Sequence, residues 1–126
     1  MIVGVGTDLV EIQRIREAYA KHGERFLTRL LSTQERAECA ALSDPGTYLA
    51  KRWAAKEAFA KALGTGIRPP VTLAGMTVTH DTLGKPMFGF DAAIRGCLVD
   101  KSITGVHLSL SDERTSALAF VVLEST

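Results

Sequence analysis

The apolar positions of this chain change period along its length, and each change marks the start or end of an element. Ile2 to Val5 is a short β-branched run, which predicts a buried strand leading into Gly4-Val5-Gly6-Thr7-Asp8. From Glu11 to Lys21 the spacing becomes helical, with Ile12, Ile15, Ala18 and Tyr19 on one face. His22-Gly23 breaks that helix, and Glu24 to Leu31 predicts a shorter one. Ser32-Thr33-Gln34-Glu35 has the form of a capping box and opens a helix reaching about Leu42. Pro69-Pro70 forces an extended loop. Val71 to His80 then reads as a strand, with a turn through Asp81, Gly84, Lys85 and Pro86 and a returning strand from Met87 to Phe90. Asp91 predicts the cap of a short helix ending near Asp100. Gly105 to Leu110 alternates, with Val106, Leu108 and Leu110 on one face and His107, Ser109 and Ser111 on the other. Asp112-Glu113-Arg114 makes a turn. Ala117 to Leu123 is the most apolar strand, which suits a central place in a sheet.

Between these flanks lies the stretch that dominates the pattern, Lys51 to Gly66, with the helix itself starting near Gly46 or Thr47. Six alanines fall between Ala50 and Ala62, no β-branched residue interrupts before Thr65, and Gly64 and Gly66 supply the stop. On a helical wheel Leu49, Trp53, Phe59, Ala60 and Leu63 share one broad face, and Ala54, Ala55, Ala58 and Ala62 lie opposite. A helix apolar nearly all round is a buried one. Arg52, Lys56, Glu57 and Lys61 are nevertheless set into it, with Glu57 and Lys61 one turn apart. Buried charges need partners or a ligand.

Composition changes this picture little. The 126 residues, 46% hydrophobic and 23% charged, suit one soluble domain. A formal net charge of +1 points to neither nucleic acid nor membrane, and no segment approaches spanning length. Cys39 and Cys97 match no metal or redox spacing and read as reduced thiols of a cytoplasmic protein.

Three patterns carry candidate chemistry, each beside a plainer reading. Asp8 is either a helix N-cap or a carboxylate at a metal or phosphate site, where a glycine-rich strand end approaches phosphate. Arg14, Arg16, Lys21, Arg25 and Arg29 outnumber the acidic residues of the first two helices. They form either a solvated face or a docking surface for an acidic partner. His107, Ser109 and Ser111 line either an exposed sheet face or a polar wall for phosphate or ribose oxygens. A Ser–His nucleophile pair has no Gly-x-Ser-x-Gly turn to support it.

Together, GVGTDLVEIQRI (Gly4 to Ile15) and RWAAKEAFAKALGTG (Arg52 to Gly66) resemble the small class of 4′-phosphopantetheinyl transferases that act on acyl carrier proteins. Gly84-Lys85-Pro86 and HLSLSD, His107 to Asp112, are weaker matches. The resemblance implies an α+β fold, an antiparallel sheet packed on a long central helix, in a single domain over residues 1–126. It implies a cytoplasmic enzyme of fatty acid biosynthesis that moves the phosphopantetheine arm of coenzyme A to a serine of apo acyl carrier protein. Adenosine 3′,5′-bisphosphate would leave.

Carried over residue by residue, Asp8 and Glu57 would hold Mg2+, Glu57 would act as base, directly or through a water, and Lys61 would meet the pyrophosphate. Arg52 and His107 would hold the nucleotide phosphates, with Gly64, Lys85 and Pro86 lining the coenzyme A site. Lys56 is expected either buried against a carboxylate or reaching a phosphate. Arg14, Arg25 and Arg29 would meet the acidic carrier. The resemblance also implies a homotrimer with active sites between subunits, and the apolar surplus of the central helix fits such assembly. Two other readings remain, a Mg2+-dependent phosphohydrolase of a nucleotide-like substrate and a non-catalytic carrier-binding module.

Overall fold

The computed structural model describes residues 1–126, in the order β1 (Ile2–Glu11), α1 (Ile12–His22), α2 (Glu24–Leu30), α3 (Thr33–Ala40), α4 (Gly46–Leu63), β2 (Met76–His80), β3 (Pro86–Phe90), α5 (Ala92–Asp100), β4 (Gly105–Asp112) and β5 (Ser116–Glu124). Two antiparallel sheets form, β1-β5-β4 and β2-β3, and α4 runs between them. The expected α+β architecture is the one found, and β5 is the central strand of the larger sheet.

The alanine side of α4 lies on the larger sheet, at a closeness that glycine permits. A Cβ at Gly4 would collide with the Ala62 carbonyl oxygen, and one at Gly6 with that of Ala58. Both glycines are therefore places where a strand backbone rests on a helix backbone, not a turn. This changes the reading of the N-terminus. The strand does not stop at Val5 but continues to Glu11, paired with β5 as far as Glu11↔Ser116. Asp8 lies inside it, opposite Ala119, and the N-cap of α1 is Glu11, so the capping alternative for Asp8 falls away.

On its other side α4 meets the hairpin. Phe59 packs on Phe88 and Phe90 with ring centroids 5.4 and 4.9 Å away. Met76 and Val78 of β2 and Ile94 of α5 complete that half of the core, fully buried. The expected strand from Val71 begins only at Met76, because β3 offers five partners, Pro86 to Phe90. Val71 and Leu73 are buried by a turning loop instead, closed by Gly75 N–H to Thr72 O and Met76 N–H to Leu73 O.

Helix ends follow the local chemistry. The Ser32/Glu35 capping box is present in both directions, and Asp91 Oδ1 accepts from Ile94 N–H at 2.9 Å. Gly64 closes α4 at φ 80°, donating to the Ala60 and Lys61 carbonyls, which a left-handed residue without Cβ does at least cost.

The buried charges of α4 find their partners inside the chain. Glu35, fully buried, accepts from Lys56 Nζ at 2.6 Å and from Val78 N–H at 2.9 Å while also capping α3. Lys56, also fully buried, donates to the Leu30 carbonyl at 2.7 Å. Arg52 lies over the Tyr48 ring, 3.9 Å from its centroid, with Nε 3.6 Å from Glu35 Oε2.

The outer face of the larger sheet is uncovered. Cross-strand rows there read Val5–Val122–His107, Thr7–Phe120–Ser109 and Leu9–Leu118–Ser111. Val5, Leu9, Leu118 and Phe120 are all exposed. Apolar surplus therefore sits on this face and not on α4, whose alanine face is covered by β1 and β5 of the same chain.

Candidate active site

Successive residues of an α-helix point about 100° apart, so Lys56 can turn inward to Glu35 while Glu57 faces the start of the chain. Glu57 and Lys61, one turn apart, flank Asp8, which β1 presents from its helix-facing side. Lys61 Nζ stands 3.1 Å from Asp8 Oδ1. The second oxygen, Asp8 Oδ2, is buried and has no hydrogen-bond partner. An orphaned carboxylate oxygen is costly to bury, and a cation is a partner suited to it. Burial pushes the Glu57 carboxyl above its ordinary value, repulsion from Asp8 adds to this, and Lys61 and Arg29 oppose it.

A groove opens over these carboxylates. It is lined by Asp8 and Glu57 together with Arg14 and Ile15 of α1, Phe26 and Trp53. The Phe26 and Trp53 rings stack with centroids 6.3 Å apart. A second hollow shares Phe26 and is edged by His22, Arg25 and Arg29. One surface thus brings together Asp8, Glu57 and Lys61 with the three candidate carrier-binding arginines.

The remaining candidates are placed elsewhere. His107 projects from β4 on the outer sheet face, with Nε2 2.7 Å from Glu124 Oε1. Lys85 and Pro86 belong to the β2–β3 hairpin, where Lys85 N–H donates to Asp81 Oδ1 at 2.9 Å. Gly64 is the C-cap of α4. Lys56 takes the buried, paired alternative, and its contact with a phosphate is corrected: a side chain with no exposed surface touches no ligand. Arg52 is also turned inward, its side chain 7% exposed.

A family model described as the 4′-phosphopantetheinyl transferase superfamily matches residues 4–119. The chain belongs to that superfamily. Among curated relatives, the holo-[acyl-carrier-protein] synthase of Laribacter hongkongensis is 52% identical, covering 98% of this chain and 99% of the relative. The crystal structure of the corresponding enzyme from Neisseria meningitidis superimposes with a TM-score of 0.95 at 47% identity, over 99% of this chain and all of that one. A Bacillus anthracis enzyme of the same name, crystallised in complex with CoA (3′,5′-ADP), has a TM-score of 0.83 at 36% identity, covering 100% and 99% of the two chains. Both architecture and site residues therefore lie inside the matched span.

Four residues contribute in ways that the sequence alone does not display. Glu35 was visible only as a cap; that it is also a buried counter-ion depends on contacts made 21 and 43 residues away. Phe26 and Trp53 have the spacing of core residues, and only their stacking makes them a groove wall. Glu124 ends an apolar strand like any surface residue, and its neighbour His107 is fixed by strand register.

Proposed function

We propose that this chain, a single domain over residues 1–126, transfers the 4′-phosphopantetheine arm of coenzyme A to a serine of apo acyl carrier protein. The leaving group is adenosine 3′,5′-bisphosphate. The observation that carries this reading is a groove lined by Asp8, Glu57 and Arg14, with Lys61 Nζ 3.1 Å from Asp8 Oδ1, in a member of this superfamily.

Each residue has a role that its surroundings support. Glu57, whose carboxyl is held above its ordinary value, accepts the serine proton, directly or through a water. Lys61, its side chain 56% exposed beside Asp8, is placed to neutralise charge on the pyrophosphate as the bisphosphate departs. Asp8 and Glu57 would hold Mg2+, and the free Asp8 Oδ2 fits it. No cluster of three or more His, Cys, Asp or Glu side chains is present, so the site has too few protein ligands for structural zinc. Two carboxylates instead suit a cation completed by substrate phosphate and water, which would supply charge neutralisation at the pyrophosphate. Arg14, Arg25 and Arg29, on the same surface, meet the acidic carrier. His107, with Lys85 and Pro86, serves the nucleotide end of coenzyme A.

His107 and the carboxylates lie on opposite faces of one sheet, so a single copy does not bring them to one substrate. The exposed Val5, Leu9, Leu118 and Phe120 favour association through the outer face, and a homotrimer would set one copy's His107 near the groove of another. Coenzyme A as substrate and two free cysteines suit the cytoplasm. No helix is long and apolar enough to cross a membrane.

The test follows adenosine 3′,5′-bisphosphate by chromatography during incubation with coenzyme A, Mg2+ and apo carrier. Release should require all three and match the carrier consumed. Release without carrier would make the protein a phosphohydrolase, and carrier binding without release a recognition module.

A further inference from the structure

Glu124 stands diagonally across from His107 on the outer sheet face, its carboxylate turned along the strand to reach the imidazole at 2.7 Å. We infer that Glu124 is a positioning residue for coenzyme A: it fixes the His107 ring so that Nδ1 faces the nucleotide phosphate. The inference rests on the assignment of His107 to the nucleotide end of coenzyme A.

Geometry and charge carry it together. The His107 hydrogen bond, and then its charge, hold the Glu124 carboxyl below the ordinary carboxylate range, so near neutral pH it is an acceptor only. Nε2 must then be the N–H donor of this pair, and Nδ1 is the ring nitrogen left for a ligand. A phosphate oxygen needs a donor, which Nδ1 supplies in the imidazolium, and the facing carboxylate balances that charge. Left unpaired, Glu124 would instead repel an anion bound here. In the single chain the two side chains are half-exposed, at 54% and 45%, so there the pair adds little to stability.

The fold makes room for this one contact. Gly105 is paired directly with Glu124, and a Cβ there would sit 2.7 Å from both Cγ and Oε1 of the glutamate. The bare glycine lets the carboxylate lie across the strand toward His107. Thr104 N–H, donating to the Glu124 carbonyl at 2.9 Å, holds the backbone from which it reaches.

The test combines steady-state kinetics with calorimetric binding of adenosine 3′,5′-bisphosphate to the full chain. Glu124→Ala should raise KM for coenzyme A and weaken bisphosphate binding, each about fivefold or more, with kcat and the carrier KM within about twofold. Gly105→Ala, which alters no polar side chain, should move both in the same direction. Glu124→Gln, which keeps an acceptor, should recover much of the loss. In a His107→Ala background, Glu124→Ala should cause no further loss, and removing the now unpaired carboxylate should recover some bisphosphate binding. Additive losses in the double variant, or a normal Glu124→Ala beside a weakened His107→Ala, would overturn the inference alone. Unaltered bisphosphate binding in His107→Ala would overturn the nucleotide assignment and the inference with it.

Discussion

Glu57 is ionised against the pull of its surroundings, since burial and the Asp8 carboxylate both favour its protonated form. Two consequences follow, with signs fixed by that direction. In the metal-free chain the Glu57 carboxyl should titrate above the ordinary glutamate value, and bound Mg2+ should lower it. A carbon-13 NMR titration of the metal-free chain that placed it in the usual glutamate range would contradict the burial argument. For stability, a folded-state value above the unfolded one gives a contribution complete below the unfolded value and lost as pH rises through the folded one. Once the carboxyl ionises, that contribution is gone. Glu57→Gln imitates the protonated form, so it should be inactive and yet melt at a higher temperature than the parent at pH 7. Asp8→Asn should likewise lose transfer by orders of magnitude, and near-normal turnover at saturating Mg2+ would refute the metal assignment. The motif residues of this site were legible because chemistry and spacing coincide in one helix. The orientation of Lys56 was not, because it depends on Glu35, a residue of another element.

At the scale of elements, α4 is held in rotation by a buried hub and in height by two glycines. Removing one partner of a buried ion pair costs roughly 3–5 kcal/mol. Lys56→Met should therefore destabilise the fold on that scale, leaving Glu35 with the more distant Arg52, and a denaturant titration reads the loss directly. An unchanged midpoint would mean that the hub does not hold the helix. The sequence displayed both ends of α4, its alanine stripe and the need for partners to its charges. It showed the glycines of β1 as places of close approach without showing what approaches them. A glycine beside phosphate and a glycine beneath a helix have the same sequence signature. The true end of β1 was hidden for the same reason, since a strand covered by alanines carries little periodicity of its own. Helix caps at Ser32 and Asp91 were legible because capping is chemistry within four residues.

For the whole molecule, the uncovered sheet face and the basic groove edge predict separate partners. Phe120→Glu, at the centre of the outer rows, should shift sedimentation from trimer to monomer, with activity falling as the copies separate. A fully active monomer would remove the trimeric site. Arg25→Ala should raise the carrier KM several-fold at low salt, less at high salt where charges are screened, and leave that for coenzyme A unchanged. The opposite pattern would reassign the arginine. Assembly was the least legible level of the sequence. Apolar surplus was visible as a quantity, and the helix was the obvious place to put it, yet strand register moves it to Val5, Leu9, Leu118 and Phe120. The most direct measurement is the intact mass of an apo carrier after incubation with coenzyme A, Mg2+ and either the parent chain or Glu57→Gln. The parent should add one phosphopantetheine to the carrier serine and the variant none. An unmodified carrier with the parent, or equal modification by both, would contradict the account.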